Sequence, residues 1–181
     1  MIYKEKSKSF PVPKVEQEAG ISFRGVWKLI NSPVLTSSAQ DLSYLLVHNK
    51  LPVVERLFRV GLRNDPYCDS CLGLQIHDAE HFFCQCVKVV ACWSLVRPKI
   101  TDMIGADVPD SRLIGYLFPK CERDKEVVWL LGNYFEFVWS KIYTKNEEGL
   151  QWEELYGFLK FKYRADQLGA RYRLNHIPGL D

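Results

Sequence analysis

The stretch CDSCLGLQIHDAEHFFCQC, residues 68 to 86, contains four of the six cysteines and two of the four histidines in this 181-residue chain. Two residues separate Cys68 from Cys71, so both thiolates can reach one metal ion from a single tight turn. Zinc takes four such ligands in a tetrahedron. The residues that can supply the other two are His77, His81, Cys84 and Cys86. The spacing therefore predicts a zinc half-site at Cys68 and Cys71 and leaves the second half open.

The possible pairings in the second half differ in the backbone that they require. His81 and Cys84, three residues apart, would share one face of a continuous helix. His81 and Cys86, five residues apart, would lie about 140° from each other around that helix. A pair made by His81 and Cys86 therefore requires the chain to turn between them. We expect His77 to be an exposed loop residue.

The compartment bears on whether the cysteines bind metal or form disulfides. The start of the chain, MIYKEKSKSFPVPK, lacks the apolar core of a signal peptide, and no later run reaches the roughly 20 apolar residues of a membrane span. We therefore expect an intracellular protein, in the nucleus or cytoplasm, without membrane contact. Thiols stay reduced there, which favours metal over disulfides. A redox role for the C-x2-C pair would need a βαβ context, which is missing, and Cys92 and Cys121 are expected to be packing residues.

The pattern C-x2-C-x9-H-x4-C, with HFF at the histidine and Trp93 seven residues beyond the last cysteine, carries a family resemblance. It resembles the zinc-binding region downstream of the reverse transcriptase in non-LTR retrotransposon proteins, and the preceding segment HNKLPVVERLFRVGLRNDPYCDSC is similar too. The similarity runs from about residue 27 to 93. Carried over by position, the resemblance implies that Zn²⁺ is held by Cys68, Cys71, His81 and Cys86. Cys84 stands where the family usually has an ordinary residue, so Cys84 and His77 remain alternative ligands.

The resemblance also implies what the chain would do and what it would not do. The family region implies handling of RNA or DNA during target-primed reverse transcription, with the polymerase part of a larger retroelement protein as a possible partner. The chain has no adjacent pair of aspartates of the kind that holds catalytic magnesium in polymerases. We therefore expect a non-catalytic zinc-binding module that binds nucleic acid and uses no small-molecule substrate. The competing hypothesis is a zinc-stabilised helical domain that binds other proteins.

Total charge does not identify a nucleic-acid binder, since 24 Lys and Arg against 22 Asp and Glu leave a net charge of +2. Clusters of basic residues are more informative than the total. On the predicted helix before the C-x2-C pair, Arg56, Arg59 and Arg63 would lie within about 60° of one another. This arginine stripe is a candidate phosphate-binding face, although amphipathic helices often carry such residues on their solvated side.

A second basic cluster lies near the C-terminus of the chain. Lys160, Arg164 and Arg171 would fall within about 40° on the last predicted helix. Aromatic residues that could stack on unpaired bases are interleaved with them: Phe161, Tyr163 and Tyr172. The five tryptophans are instead expected to be core residues: Trp27, Trp93, Trp129, Trp139 and Trp152. The arginine stripe and this C-terminal cluster together supply six basic residues, which are the candidate nucleic-acid contacts.

Helices must position all of these residues, because no alternation of apolar and polar residues indicates a strand. The sequence predicts an all-α fold, an irregular multi-helix domain with a zinc-knuckle-like loop inserted between two helices. We expect a flexible arm over residues 1–20 and a helical zinc-binding region over 21–106. A helical C-terminal region over 107–181 is expected to pack on the same core.

Capping residues and prolines predict where these helices begin and end. Ser38 with Asp41 three residues later resembles a capping box, and Pro52 suits the first turn of the helix PVVERLFRVGL. Pro98 is expected to end the apolar helix VKVVACWSLVR, with a further short helix after it. Later helices are expected after Asp110, from Asp124 to about Lys145, and over LQWEELYGFLKFKYRADQLGARYR.

Overall fold

The computed structural model describes residues 23–142 and 149–168, together with 174, 176, 177, 179 and 180. The predicted arm over residues 1–20 lies outside these ranges. Within them no β-sheet forms, and an isolated antiparallel bridge joins Tyr67 to Ile76. The α-helices are α1 (Phe23–Ile30), α2 (Ser37–Val47), α3 (Val54–Arg59), α4 (Val90–Ile104), α5 (Asp110–Ile114), α6 (Asp124–Ile142) and α7 (Trp152–Leu168).

The chain between α3 and α4 contains the cysteines and histidines of the candidate site. It has two short helical turns of its own, a 3₁₀ turn over Asp69–Cys71 and a π-helical turn over His81–Gln85. The all-α prediction, with a Cys/His loop between two helices, is therefore confirmed. None of the helices in the described ranges combines the length and the hydropathy that crossing a membrane requires.

Helix α6 is the centre of the fold. All residues from Glu126 to Phe135 are buried, as are Phe137 and Val138, because apolar residues occur on every face of this helix. It packs against α1, α2, α4 and α7. At Gly132 a side chain would meet Leu35 Cδ2 at 2.2 Å, so the absence of a Cβ allows this close approach. The buried apolar residues form one cluster that includes members of both predicted regions, 21–106 and 107–181.

The N-terminus of α2 differs from its prediction. Thr36, and not Ser38, is the N-cap, and its hydroxyl accepts a hydrogen bond from Ala39 N at 3.1 Å. Thr36 has the extended backbone that an N-cap requires, whereas Ser38 lies inside the first helical turn. The capping-box prediction was therefore wrong by two residues, since both positions offer a hydroxyl that the local sequence cannot rank.

Pro98 does not end a helix, which contradicts the prediction. Helix α4 continues through it, because the residues buried before the proline, Trp93 and Val96, lie on the same face as Ile100 and Met103 beyond it. Packing of this continuous apolar face against α6 and α7 outweighs the loss of one backbone hydrogen bond at an exposed proline. The separate short helix predicted after Pro98 is therefore the second half of α4.

The tryptophans are not all core residues. Trp93 and Trp129 are buried, and Trp139 and Trp152 are partly buried against the same hydrophobic cluster. Trp27 on α1 is 42% exposed, so its prediction as a core residue was wrong. The apolar face that α1 buries is formed instead by Val26 and Ile30, four residues apart.

Candidate metal centre

The structure brings Cys68, Cys71, His81 and Cys86, from here on the Cys3His set, to one point. One ligand atom from each lies within 4.8 Å of all the others. Cys86 Sγ is 3.8 Å from Cys68 Sγ and 3.9 Å from Cys71 Sγ, and Cys71 Sγ is 3.4 Å from His81 Nε2. Ligands at zinc distances of about 2.3 Å for sulfur and about 2.0–2.1 Å for nitrogen in a tetrahedron would be about 3.5–3.8 Å apart. These three donor–donor distances therefore match the spacing around a tetrahedral metal ion, and the other pairs lie within 4.8 Å.

The first half of the site is a tight turn that begins at Cys68. The carbonyl of Cys68 accepts hydrogen bonds from Cys71 N at 3.2 Å and from Gly73 N at 3.1 Å. Leu72 and Gly73 both have positive φ angles, 56° and 70°, and reverse the chain direction. The two thiols therefore point to the same side, as the C-x2-C spacing predicted. A cavity of about 450 Å³ opens over Cys71 and His81 and provides a path for a metal ion.

The second half of the site depends on the π-helical turn. Cys86 N donates a hydrogen bond to His81 O at 2.7 Å, which joins residues five apart and not the four apart of an α-helix. The wider turn brings His81 and Cys86 to the same side, although an α-helix would separate them by about 140°. The chain does turn between the two residues, as their pairing requires, but it does so by a widened helical turn.

Cys84 and His77, the alternative ligands, lie elsewhere. Cys84 is buried in the hydrophobic core, where burial raises the pKa of its thiol far above the usual range. His77 is half-buried, which contradicts its prediction as an exposed loop residue, and burial lowers its pKa. Its Nδ1 accepts a hydrogen bond from Val54 N at 3.3 Å, at the first turn of α3. In the part of the chain that the structure describes, neither residue joins the metal-binding group.

Helix α6 packs against the π-helical turn. Tyr134 Oη donates a hydrogen bond to Phe83 O at 2.6 Å, and the Phe82 ring packs against Trp139 with 5.5 Å between centroids. On the other side, His81 N donates to Asp78 Oδ1 at 2.8 Å. Neither Asp78 nor Tyr134 is among the site residues that the sequence predicts. An Asp three residues before a helical turn is a recognisable capping signal, whereas the contact of Tyr134 depends on tertiary packing alone.

The electrostatics of the site favour neutral groups in the absence of a cation. Burial raises the pKa of Cys68, and it raises that of Cys86 to about 12. Burial also lowers the pKa of His81, and neutral imidazole is the form that binds metal. Its buried Nδ1 has no hydrogen-bond partner among the described residues. Two buried thiolates, of Cys68 and Cys86, beside the half-buried thiolate of Cys71 would be costly on their own, so a cation that binds them would compensate their charge.

The arginine stripe does not form as the sequence predicted. Helix α3 ends at Arg59, and Gly61 with a φ angle of 77° turns the chain before Arg63. Arg63 instead makes an ion pair with Asp69, with distances of 3.0 and 2.9 Å from its Nη2 to the two carboxylate oxygens. This ion pair therefore links Arg63 to the first turn of the metal site. Arg56 Nη1 donates to Asn49 O at 3.1 Å, and Arg59 pairs with Glu55.

The C-terminal basic cluster is only partly within the described ranges. Lys160 and Arg164 lie on α7, and Arg164 is exposed. Lys160 is half-buried, with its Nζ 5.5 Å from the centroid of the Tyr156 ring. Arg171 lies outside the described residues. Of the interleaved aromatics, Phe161 is 70% exposed and Tyr163 is buried, while Tyr172 also lies outside.

Comparisons of the chain with protein-family models, with curated proteins and with solved structures found no match. The geometry of the site therefore carries the functional argument. That geometry shows that the Cys3His set can hold a metal ion.

Proposed function

We propose that the chain is a non-catalytic zinc-binding module in which the Cys3His set holds one Zn²⁺. The mutual spacing of the four donor atoms is the observation that carries this proposal. Three thiolates and one imidazole are soft and borderline ligands that favour zinc over calcium or magnesium. Four protein ligands fill a tetrahedron and leave no position for a reactive water molecule. The site is therefore structural.

In this proposal zinc joins two pieces of chain that share few other contacts. One piece is the C-x2-C turn after α3, and the other is the π-helical turn before α4. The ion would fix the loop to the helical body in the way that structural zinc does in small domains.

Single cysteine substitutions test the ligand set. Cys86→Ser should abolish stoichiometric zinc binding, whereas Cys84→Ser should leave one zinc ion per folded chain, because Cys84 lies in the core. Native mass spectrometry and elemental analysis measure the stoichiometry. The proposed ligand set is wrong if Cys84→Ser releases zinc and Cys86→Ser retains it.

We propose further that the zinc-loaded module binds RNA or DNA. The support comes from the resemblance to the region downstream of a reverse transcriptase and from exposed basic residues, Arg59 and Arg164 among them. Contacts from such residues to phosphate supply affinity that falls as salt displaces them. In a larger retroelement protein, the polymerase part would be the natural partner of such a module.

Fluorescence anisotropy with labelled RNA and DNA oligonucleotides tests nucleic-acid binding. We expect the zinc-loaded chain to bind at low salt and to lose affinity steeply between about 50 and 200 mM salt. Charge reversal at Arg59 and at Arg164 should each weaken binding. If the zinc-loaded chain binds neither RNA nor DNA at low salt, the nucleic-acid proposal fails while the zinc proposal stands.

A second candidate function, protein binding, is favoured by exposed apolar residues around the metal site. Leu72 and Leu74 are 87% and 77% exposed, and Leu62 and Val87 are also exposed nearby in the sequence. Exposed apolar residues in such number often mark a protein interface. If these leucines bind a protein, the double variant Leu72→Ser, Leu74→Ser should leave nucleic-acid affinity unchanged. A loss of nucleic-acid affinity in this variant would instead show that the nucleic-acid interface includes the loop.

A further inference from the structure

A surface formed by α1, α2 and the residues after α2 combines exposed aromatic rings with basic side chains. Trp27 on α1 is 42% exposed and Tyr44 on α2 is 38% exposed. Their ring centroids are 5.8 Å apart, with an angle of 71° between the ring planes. The centroid of the half-buried His48 ring is 4.3 Å from that of Tyr44. The three rings therefore form one aromatic group at the protein surface.

Basic residues lie close to these rings in the sequence. Arg24 and Lys28 are exposed and lie four residues apart on α1, so they share a helix face with Trp27 between them in the sequence. Lys50 is exposed two residues after His48, and the hydrogen bond from Arg56 to Asn49 O brings a fourth basic residue next to it. We call Arg24, Trp27, Lys28, Tyr44 and Lys50 the α1–α2 surface.

The charge of this surface selects among possible occupants. Asp41, one helical turn before Tyr44, is an exposed acidic neighbour against these basic residues. Within residues 23–50 three basic side chains stand against this one acidic side chain, and the excess of positive charge complements a polyanion. Exposed aromatic rings flanked by Arg and Lys are the combination that binds unpaired bases together with the phosphates that link them. The bases of a duplex are already stacked on one another, so they are not available to stack on the two rings.

We propose that the α1–α2 surface binds single-stranded nucleic acid, with one base stacked on Trp27, a second on Tyr44, and phosphates contacted by Arg24, Lys28 and Lys50. The angle between the two rings means that one base cannot stack on both. This inference rests on the proposed nucleic-acid function and specifies its surface and its strandedness. It differs from the arginine stripe, whose Arg63 is engaged with Asp69.

Tryptophan fluorescence is a useful probe, because Trp27 is 42% exposed while Trp93 and Trp129 are buried and Trp139 and Trp152 are partly buried. Oligothymidylate, oligouridylate and a duplex of equal length are titrated into the zinc-loaded chain. We expect both single strands to quench the emission and the duplex to bind more weakly. Trp27→Phe should lose most of the quenching. Comparison of the DNA and RNA strands shows which sugar is preferred.

Affinity measurements on surface variants complete the test. Trp27→Ala and Tyr44→Ala should each weaken single-strand binding by about tenfold. Tyr67→Ala is the matched control, since Tyr67 is similarly exposed beside the metal site, and should bind as the wild type does. Lys28→Ala should reduce the slope of log affinity against log salt by about one. Zinc content and circular dichroism verify that each variant is folded, and Lys28→Ala changes an exposed side chain only.

The outcomes separate the two proposals. If the wild type binds single strands but Trp27→Ala, Tyr44→Ala and Lys28→Ala bind equally well, the α1–α2 surface is overturned and the nucleic-acid function survives elsewhere on the chain. Equal binding of single strand and duplex overturns the stacking geometry. If the wild type binds no oligonucleotide at low salt, both proposals fail, and the surface is then available to a protein partner.

Discussion

The metal loop between α3 and α4 and the central helix α6 are stabilised in different ways. Twelve of the 19 residues of α6 are buried, so this helix contributes to stability through apolar burial. In the first part of the loop, residues 61–76, Leu72 and Leu74 are exposed, and the contacts are backbone hydrogen bonds, the Arg63–Asp69 ion pair and the Cys3His set. Among residues 61–76 only Cys68 is buried, so this part of the loop has little apolar burial to replace a metal ion.

The two halves of the metal site are attached to the rest of the molecule in different ways. The π-helical turn is held by the body, through the Tyr134 hydrogen bond and the packing of Phe83 against Phe135 at 4.9 Å. The C-x2-C turn belongs to the loop, and Cys71 is only half-buried. Zinc would therefore connect a half that packs on the helical body to one that is largely exposed.

Zinc removal is expected to produce the largest difference between the loop and α6. Zinc-finger peptides gain about 10–16 kcal/mol from their metal, so chelation should unfold the loop locally. Hydrogen exchange in residues 67–76 should accelerate by at least about a hundredfold, while amides of α6 keep their protection. Simultaneous loss of protection in α6 would show that the body also depends on the metal.

A substitution in the body should act in the opposite way. Phe135→Ala removes a fully buried ring from α6 and should lower the free energy of unfolding by about 3–5 kcal/mol. Phe161→Ala, at a 70% exposed position, is the control and should change stability by less than about 0.5 kcal/mol. Urea denaturation measures both. Similar small effects at the two positions would contradict the central role of α6.

Pro98→Ala tests whether the continuous face of α4 overrides its proline. Alanine restores a backbone donor inside the helix, so we expect a stability gain of about 1–3 kcal/mol. Pro66→Ala in the metal loop is the control, because it increases the conformational freedom of the unfolded chain without adding a backbone donor inside a helix. A loss of stability in Pro98→Ala would indicate that α4 is interrupted at this position in solution.

His77 connects the loop to α3, and its replacement should have a smaller effect. His77→Ala removes the acceptor for Val54 N and should lower stability by about 1 kcal/mol. Zinc stoichiometry should stay at one ion per chain, because His77 is outside the Cys3His set. Loss of zinc in this variant, measured by native mass spectrometry, would instead make His77 a ligand.

The pH dependence of the metal-free chain should be the mildest effect. Burial lowers the pKa of His77 and of His81 below the ordinary value of 6.5, so the folded state binds fewer protons than the unfolded state. Stability contributed by the neutral rings is present above pH 6.5 and is lost as the pH falls through the lowered pKa values. Urea midpoints measured across this window should decrease on acidification, and less so in His77→Ala. A constant midpoint would contradict the burial of these rings.

Much of the fold could be predicted because it depends on local chemistry. Helical periodicity and turn residues indicated the all-α class, and the C-x2-C spacing indicated a tight turn that presents two thiols together. For the second half of the site the spacing left several pairs open, and the choice of His81 with Cys86 came from the resemblance. Which two residues complete the site depends on backbone geometry that spacing does not specify.

The sequence by itself therefore determined the helical class and the first half-site, since both depend on neighbours within one or two turns. Only the tertiary structure decided that Cys84 enters the core, that α4 continues through Pro98, and that Trp27 stays at the surface. These outcomes depend on which apolar faces α6 covers. Burial is a property of packing between distant elements, and local sequence patterns contain no information on which of several apolar residues the core will select.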